Sequence, residues 1–341
     1  MPIVKVLRNP VVTPKSTTVS VLMLVRLLLT AFILSASLPA VSHAQWYGSA
    51  DFLVPTRTLS SNNVFARNQL EVLDMAMPPA PTGDVIVGTD SRLSLDLGFA
   101  AAGRFTVGKR AGEFGFEATY LTTDEFTTQG EVFDAGSVTA SPFTFVGALA
   151  DTGLDYNSQI FAGYTTELQS IKLSLTQLVY ADSNGEATLL YGVRAFAIDE
   201  TFLWSGINTG GNNTVDSLRK NRMIGPQIGL NAWTPVPGGR LSLNLAGAYA
   251  FNEVEVSEVY TGPGFGGGGF ARARTQREAS LVGELGIEYL LQMTPNAGLR
   301  VGFEVLGLSD VGLATNATAF SNRLTDKVVY TQPYFGFLFV H

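Results

Sequence analysis

The chain has 341 residues, 22 Lys+Arg against 29 Asp+Glu, and a net charge of −7. An acidic chain lacks the basic face that phosphate backbones require, which argues against nucleic acid as a partner. It has no cysteine, so disulfide frameworks and thiolate metal sites are excluded.

The first 44 residues stand apart. They carry Lys5, Arg8, Lys15 and Arg26 with no acidic residue, then an apolar run from Leu27 to Leu38, then Ser42-His43-Ala44. A basic start, a short apolar segment and a small-x-small site are the parts of a secretory signal peptide. The apolar run spans roughly 12 residues, whereas a membrane-spanning helix needs about 20. Cleavage is expected after Ala44, giving a signal peptide over 1–44 and one domain over 45–341.

Beyond Ala44 the pattern has period two. Leu93, Leu95, Leu97, Phe99 and Ala101 alternate with smaller or polar residues. Phe114, Phe116, Ala118 and Tyr120 do the same, as do Leu189 to Ala197, Leu241 to Phe251, Leu281 to Leu291 and Leu299 to Val305. Successive side chains of a strand point to opposite faces, so each segment has one apolar and one mixed face. Ten strands are predicted: 46–54, 91–108, 113–123, 156–180, 186–204, 220–234, 240–256, 276–292, 297–313 and 328–340. Two more are allowed within 55–90 or 124–155. Many of the ten exceed the five or six residues of ordinary strands and match the 9–11 of a tilted membrane strand.

The predicted connections alternate. Residues 55–90, 124–155, 205–219, 257–275 and 314–327 are long. Residues 109–112, 181–185, 235–239 and 293–296 are short, with Asn184-Gly185 and Pro237-Gly238 supplying turn chemistry. Short turns at one end and long loops at the other describe an outer-membrane barrel. The predicted fold is therefore all-β: an antiparallel, up-and-down transmembrane β-barrel of about 10 strands (10–12), its apolar faces in lipid. The lipid bilayer and the outer-membrane assembly machinery are the implied partners, and the bacterial outer membrane the implied location. Tyr249, Phe251 and Tyr289 lie at stripe ends, where interfacial girdles sit, and Glu253 and Glu255 would stand above the membrane.

The mixed faces would line the lumen, with Asp96, Arg104, Glu113, Glu117, Lys172, Arg194, Glu284, Glu288, Arg300 and Glu304 as its charges. Across the turn at 293–296, Glu288 is opposite or diagonal to Arg300, and Glu284 faces the Glu304 region. Arg272, Arg274 and Arg277 are read as balancing Glu253, Glu255 and Glu258 on the preceding strand.

Several runs resemble the beta-barrel porin-7 family of bacterial outer-membrane proteins. They are Asn221-Arg222-Met223-Ile224-Gly225-Pro226-Gln227-Ile228-Gly229-Leu230, Tyr191-Gly192-Val193-Arg194 followed by Asp199-Glu200, and Gly283-Glu284-Leu285-Gly286-Ile287-Glu288-Tyr289 leading into Leu299 to Leu306. The resemblance spans roughly 46–340 and implies an outer-membrane barrel with a transport role and no catalytic residues. Members of that family usually finish on an aromatic residue, whereas this chain finishes Phe339-Val340-His341.

Catalytic constellations are sparse. Past residue 44 the one histidine is His341, and no nucleophile–imidazole or zinc arrangement can be assembled. Gly264 to Gly269 contains a G-x-G-x-x-G match that leads into a strand rather than a helix, which is a loop pattern. No enzyme activity, cofactor or metal is expected. Two functions remain: a porin-like channel for small polar solutes with a charged lumen, or a structural or interaction barrel with a closed or filled lumen that binds through external loops.

Overall fold

The computed structural model describes residues 44–59, 64–68, 92–94, 97–133, 139–140, 159–208, 211–265, 269–319 and 325–341. Residues 1–43 of the expected signal peptide lie outside the described residues; Ala44 opens the first strand.

The strands are β1 (Ala44–Leu53), β2 (Thr56–Leu59), β3 (Val64–Asn68), β4 (Arg92–Ser94), β5 (Ala102–Ala111), β6 (Phe114–Thr123), β7 (Phe126–Phe133), β8 (Thr139–Ala140), β9 (Gln159–Asp182), β10 (Gly185–Asn208), β11 (Gly211–Val236), β12 (Gly239–Thr261), β13 (Phe270–Thr294), β14 (Ala297–Gly312) and β15 (Thr325–Val340). The main sheet runs β1-β5-β6-β9-β10-β11-β12-β13-β14-β15 and closes through β1 against β15. Tyr47 pairs with Val340 and Leu53 with Tyr334 along that seam. After a break at Val54-Pro55, β2 continues up the same neighbour, from Thr56↔Thr331 to Val328↔Leu59. Likewise β7 continues β6 along β9. The two pairs act as two bent staves, so the barrel has ten staves and the extra strands extend them. Strands β4, β3 and β8 form a separate three-stranded sheet.

The four predicted short turns are where the sequence puts them. Gly112 and Gly238 adopt positive φ (64° and 81°), which a side chain at those turns would resist. By the usual rule this end faces the periplasm. The other end differs from expectation. Residues 205–219, predicted as a long loop, are nearly all strand, with Asn208 paired to Gly211. Strands β12 and β13 take up most of 257–275. At 91–108 the stave begins only at Ala102. Arg92–Ser94 belongs to the small sheet, and Leu97 is buried while Phe99 is exposed, so the predicted lipid stripe from Leu93 to Ala101 does not form.

On β10 and β12 the strands overrun because of a change of phase along them. On β12 the outward residues Leu241, Leu243, Leu245, Tyr249 and Phe251 are exposed and apolar, then Glu253, Glu255 and Ser257 follow on the same face. The inward residues do the reverse: Ser242 and Asn252 are buried polar groups, then Val254, Val256 and Tyr260 are buried apolar ones. On β10 the inward face passes from Glu186, Thr188 and Arg194 to Phe196, Ile198, Phe202 and Trp204. The lower zone is inside-out because its solvent is hydrocarbon; the upper zone follows the ordinary rule because its solvent is water.

The exposed apolar belt runs all round the wall, through Phe116, Leu173, Val193, Ile228, Leu285 and Phe337 among many others. It far exceeds the few hundred Å² tolerated in water. At about 3.3 Å per residue and a tilt of about 40°, the stretch Leu281 to Leu291 rises about 25 Å, the height of a hydrocarbon band. The strands continue above it as mostly polar-faced wall, on β13 from Ala279 to Phe270. Tyr249 and Phe251 stack edge to face at the top of the belt, and Tyr289 donates to the Pro237 carbonyl at the bottom.

Candidate functional site

The lumen has two storeys. The lower one, within the belt, is polar. Eight of the ten charges predicted for the lumen are placed there: Arg104, Glu117, Lys172, Arg194, Glu284, Glu288, Arg300 and Glu304. Glu113 is not. It occupies the exposed Gly112-Glu113 turn, because the tight turn consumes the residue that alternation would have sent inward. Asp96 lies outside the described residues.

All of these but Glu117 belong to one of two webs. Beside the closing seam, Arg104 of β5 donates to Asp51 of β1 (2.9 Å) and to Glu304 of β14 (2.6 Å). Arg300 of β14 donates to Glu288 of β13 (2.9 Å) and lies 3.3 Å from Asp51. The Tyr334 hydroxyl donates to Glu288 (3.0 Å), and the Arg104 guanidinium lies 4.2 Å from the centre of the Tyr334 ring. The predicted Glu288–Arg300 contact is thus present, and it is diagonal: Leu290 is the residue opposite Arg300. The second web crosses the barrel. Glu284 of β13 takes Lys172 of β9 (2.8 Å) and Arg194 of β10, four and three staves away round the ring. Charge-assisted bonds of this kind are strong and directional, although removing two ions from water offsets much of the gain. Within the two webs four cations face four carboxylates, Asp51 included, so the webs are charge-balanced.

Sequence alternation alone missed several partners. Asp51 and Tyr334 are central to the seam web, and Tyr47 donates to Glu117 (3.0 Å). Arg110 pairs with Glu186 (2.6 Å) lower down. Asp51 sits in a strand of only ten residues, where a single inward acid gives no sign of what it will meet after closure.

Below the webs is a vestibule of about 510 Å³, open toward the short-turn end and lined mainly by polar groups, including Thr106, Ser174, Gln227 and Asn244. Above them the lumen is filled. The end of β14 and the segment after it turn inward, so that Leu308, Val311, Leu313, Ala314 and Ala317 are buried against Phe196, Phe202, Trp204, Tyr260 and Tyr330. Asn221 clamps this segment from both sides, accepting from Gly312 N (2.6 Å) and donating to Gly312 O (2.9 Å). Asn252 donates to the Asp310 carbonyl (2.9 Å), and the Ala314 N–H donates to Glu200 (2.8 Å). Glu200 also holds Arg57, whose guanidinium lies between the Tyr164 and Tyr330 rings. Glu258 holds Arg219 (2.8 Å) and Arg272 (2.7 Å). Arg277 pairs with Glu253 (2.9 Å), so two of the three arginines near the glycine-rich loop balance acids on β12 as predicted. On the outer face above the belt, burial raises the Asp216 carboxyl pKa. Burial, with Asp199 and Glu125 nearby, raises that of Glu167.

An inverted lower zone, a charged lumen and ten closed staves define a bacterial outer-membrane β-barrel. No family model matches the sequence, and no curated protein matches it. Among solved structures the fold is similar to that of the outer membrane protease OmpT from Escherichia coli, at 12% identity and a TM-score of 0.51, over 90% of this chain and 100% of that one. The translocator domain of the autotransporter NalP from Neisseria meningitidis matches at 13% identity and a TM-score of 0.36, over 93% and 95% of the two chains. The attachment invasion locus protein Ail of Yersinia pestis matches at 7% and 0.26, over 88% and 99%. At 12% identity the likeness to OmpT concerns the fold alone.

Proposed function

We propose that this protein is a sealed outer-membrane barrel that acts through the wall it raises above the membrane, as an interaction or structural protein rather than an open channel. The packing of Leu308 to Ala317 into the upper lumen carries this reading. A solute entering from the long-strand end would meet a dry core of Trp204, Phe202, Tyr260 and Leu313 instead of water. Below that core the web on Glu284 crosses the lumen, and the web on Glu288 ties the staves beside the seam together. Passage would require breaking both. The outer-membrane assembly machinery would insert the barrel, and the lipid belt would be its other constant partner.

The vestibule favours the second reading, a porin-like channel for small polar solutes, in one respect: it is polar and large enough for a solute. Reconstitution in planar bilayers separates the two. The sealed reading expects no steady conductance steps from barrels shown to be folded by heat-modifiable migration. Stable open steps from the unmodified protein would overturn it. No catalytic chemistry is proposed.

A further inference from the structure

The cations facing the vestibule are not equivalent. Arg104, Arg110, Lys172 and Arg300 each bond a carboxylate. Arg240 has no hydrogen-bond or ion-pair partner among the described residues, and its Nε is buried without an acceptor. It is the first inward residue of β12 after the Pro237-Gly238 turn, so it stands at the vestibule mouth. Its guanidinium carbon lies 5.5 Å from the centre of the Trp233 ring on the neighbouring strand. That contact fixes the plane of the group without neutralising it. A partly buried cation that no carboxylate contacts, with Glu288 and Glu186 acting on it only from a distance, is costly in a low-dielectric setting. A planar guanidinium in a fixed plane also presents paired N–H groups that match two oxygens of a carboxylate or phosphate.

We propose that the vestibule is a binding site for a small solute bearing a carboxylate or phosphate, entering from the short-turn end and held by Arg240. Polar side chains would receive the rest of the solute: Asn231 and Asn244, which bond each other across β11 and β12, and Gln227, whose Oε1 is buried without a donor. The volume of about 510 Å³ falls in the range of small-molecule sites. The packed upper lumen makes it a blind site, suited to capture rather than transit. The proposal stands whether or not the upper wall binds anything.

The test uses the whole barrel, folded in detergent, titrated separately with sodium succinate and inorganic phosphate against sodium chloride of equal ionic strength. Tryptophan fluorescence and titration calorimetry are both read, because Trp233 adjoins the site. Saturable binding of at least one of the two salts is expected, and which one saturates identifies the anion class. Arg240→Gln should weaken that binding about tenfold or more, whereas Arg277→Gln, on the outer wall, should leave it unchanged. If Arg240→Gln does not fold, Arg240→Lys replaces it and should weaken binding about threefold or more, because the charge stays and the fork is lost. Absence of saturation with both salts beyond the chloride control overturns the proposal. So does equal affinity in the Arg240 variant that folds.

Discussion

Glu284 is the most instructive position to perturb, because one carboxylate holds two walls of the barrel. In Glu284→Ala, Arg194 loses its anion while its side chain keeps only about 3% of its surface exposed, and Lys172 loses the 2.8 Å bond while remaining in contact with the vestibule. Leaving one buried partner uncompensated costs about 3–5 kcal/mol. Lys172 can turn toward water, so its share is small. Arg194 retains the Phe196 ring at 4.5 Å and a bond to Ser170 at 3.3 Å, neither of which replaces a carboxylate. The expected loss is therefore about 3 kcal/mol, at the lower end of that range. Urea unfolding of the barrel in lipid vesicles, followed by tryptophan emission and by gel migration, measures it. The double variant Arg194→Met with Glu284→Leu should recover most of the loss, because the buried pair is then replaced rather than broken. A Glu284→Ala barrel within about 0.5 kcal/mol of the parent would refute the view that this strut holds the fold.

Two further predictions probe the boundary between the zones and the seal. Leu285→Arg, in mid-belt, should cost about 2–4 kcal/mol, whereas Thr275→Arg, ten residues along the same outward face of β13, should cost about 0–1 kcal/mol; equal effects in vesicle unfolding would mean that the belt is misplaced. Asn221→Ala removes both bonds to Gly312 and should destabilise the inward segment by about 1–3 kcal/mol. Faster protease cutting near 309–317 in folded barrels is the expected result, and unchanged cutting rates would show that the clamp is dispensable.

The belt zone was legible in the sequence because one rule governs it. Leu241 to Phe251 and Leu281 to Leu291 alternate without interruption, and the short turns carry Gly112, Asn184-Gly185 and Gly238. The Glu288–Arg300 contact was legible too, since both residues flank one tight turn. The upper wall was misread for a physical reason. Above Asp199 and Glu253 the apolar residues move to the other face, so Phe202, Trp204, Val254 and Val256 no longer extend the stripe, and the predicted strands stop soon after, at 204 and 256, short of Asn208 and Thr261. On β10 and β12 the alternation continues and its phase changes. Cross-lumen partners such as Lys172 and Glu284, 112 residues apart, depend on where the ring closes, which no local pattern encodes. Glu113 shows the opposite failure, a local pattern carried one residue too far into a turn.

The phase change also acts as a depth stop. Sliding the barrel along the membrane normal by one inward–outward pair of residues, about 5 Å, is unfavourable in both directions. Upward, it draws Tyr249, Phe251 and Leu281, at the top of the belt, toward water. Downward, it forces Asp199, Arg222, Glu253 and Arg277 toward hydrocarbon. Hydrophobic mismatch is then absorbed by the lipid rather than by the protein. The upper wall, with the hairpin tips at Asn208–Gly211 and Thr261–Phe270, is carried at a fixed height over the headgroups. Whatever meets it finds its edges at one constant reach from the cell surface.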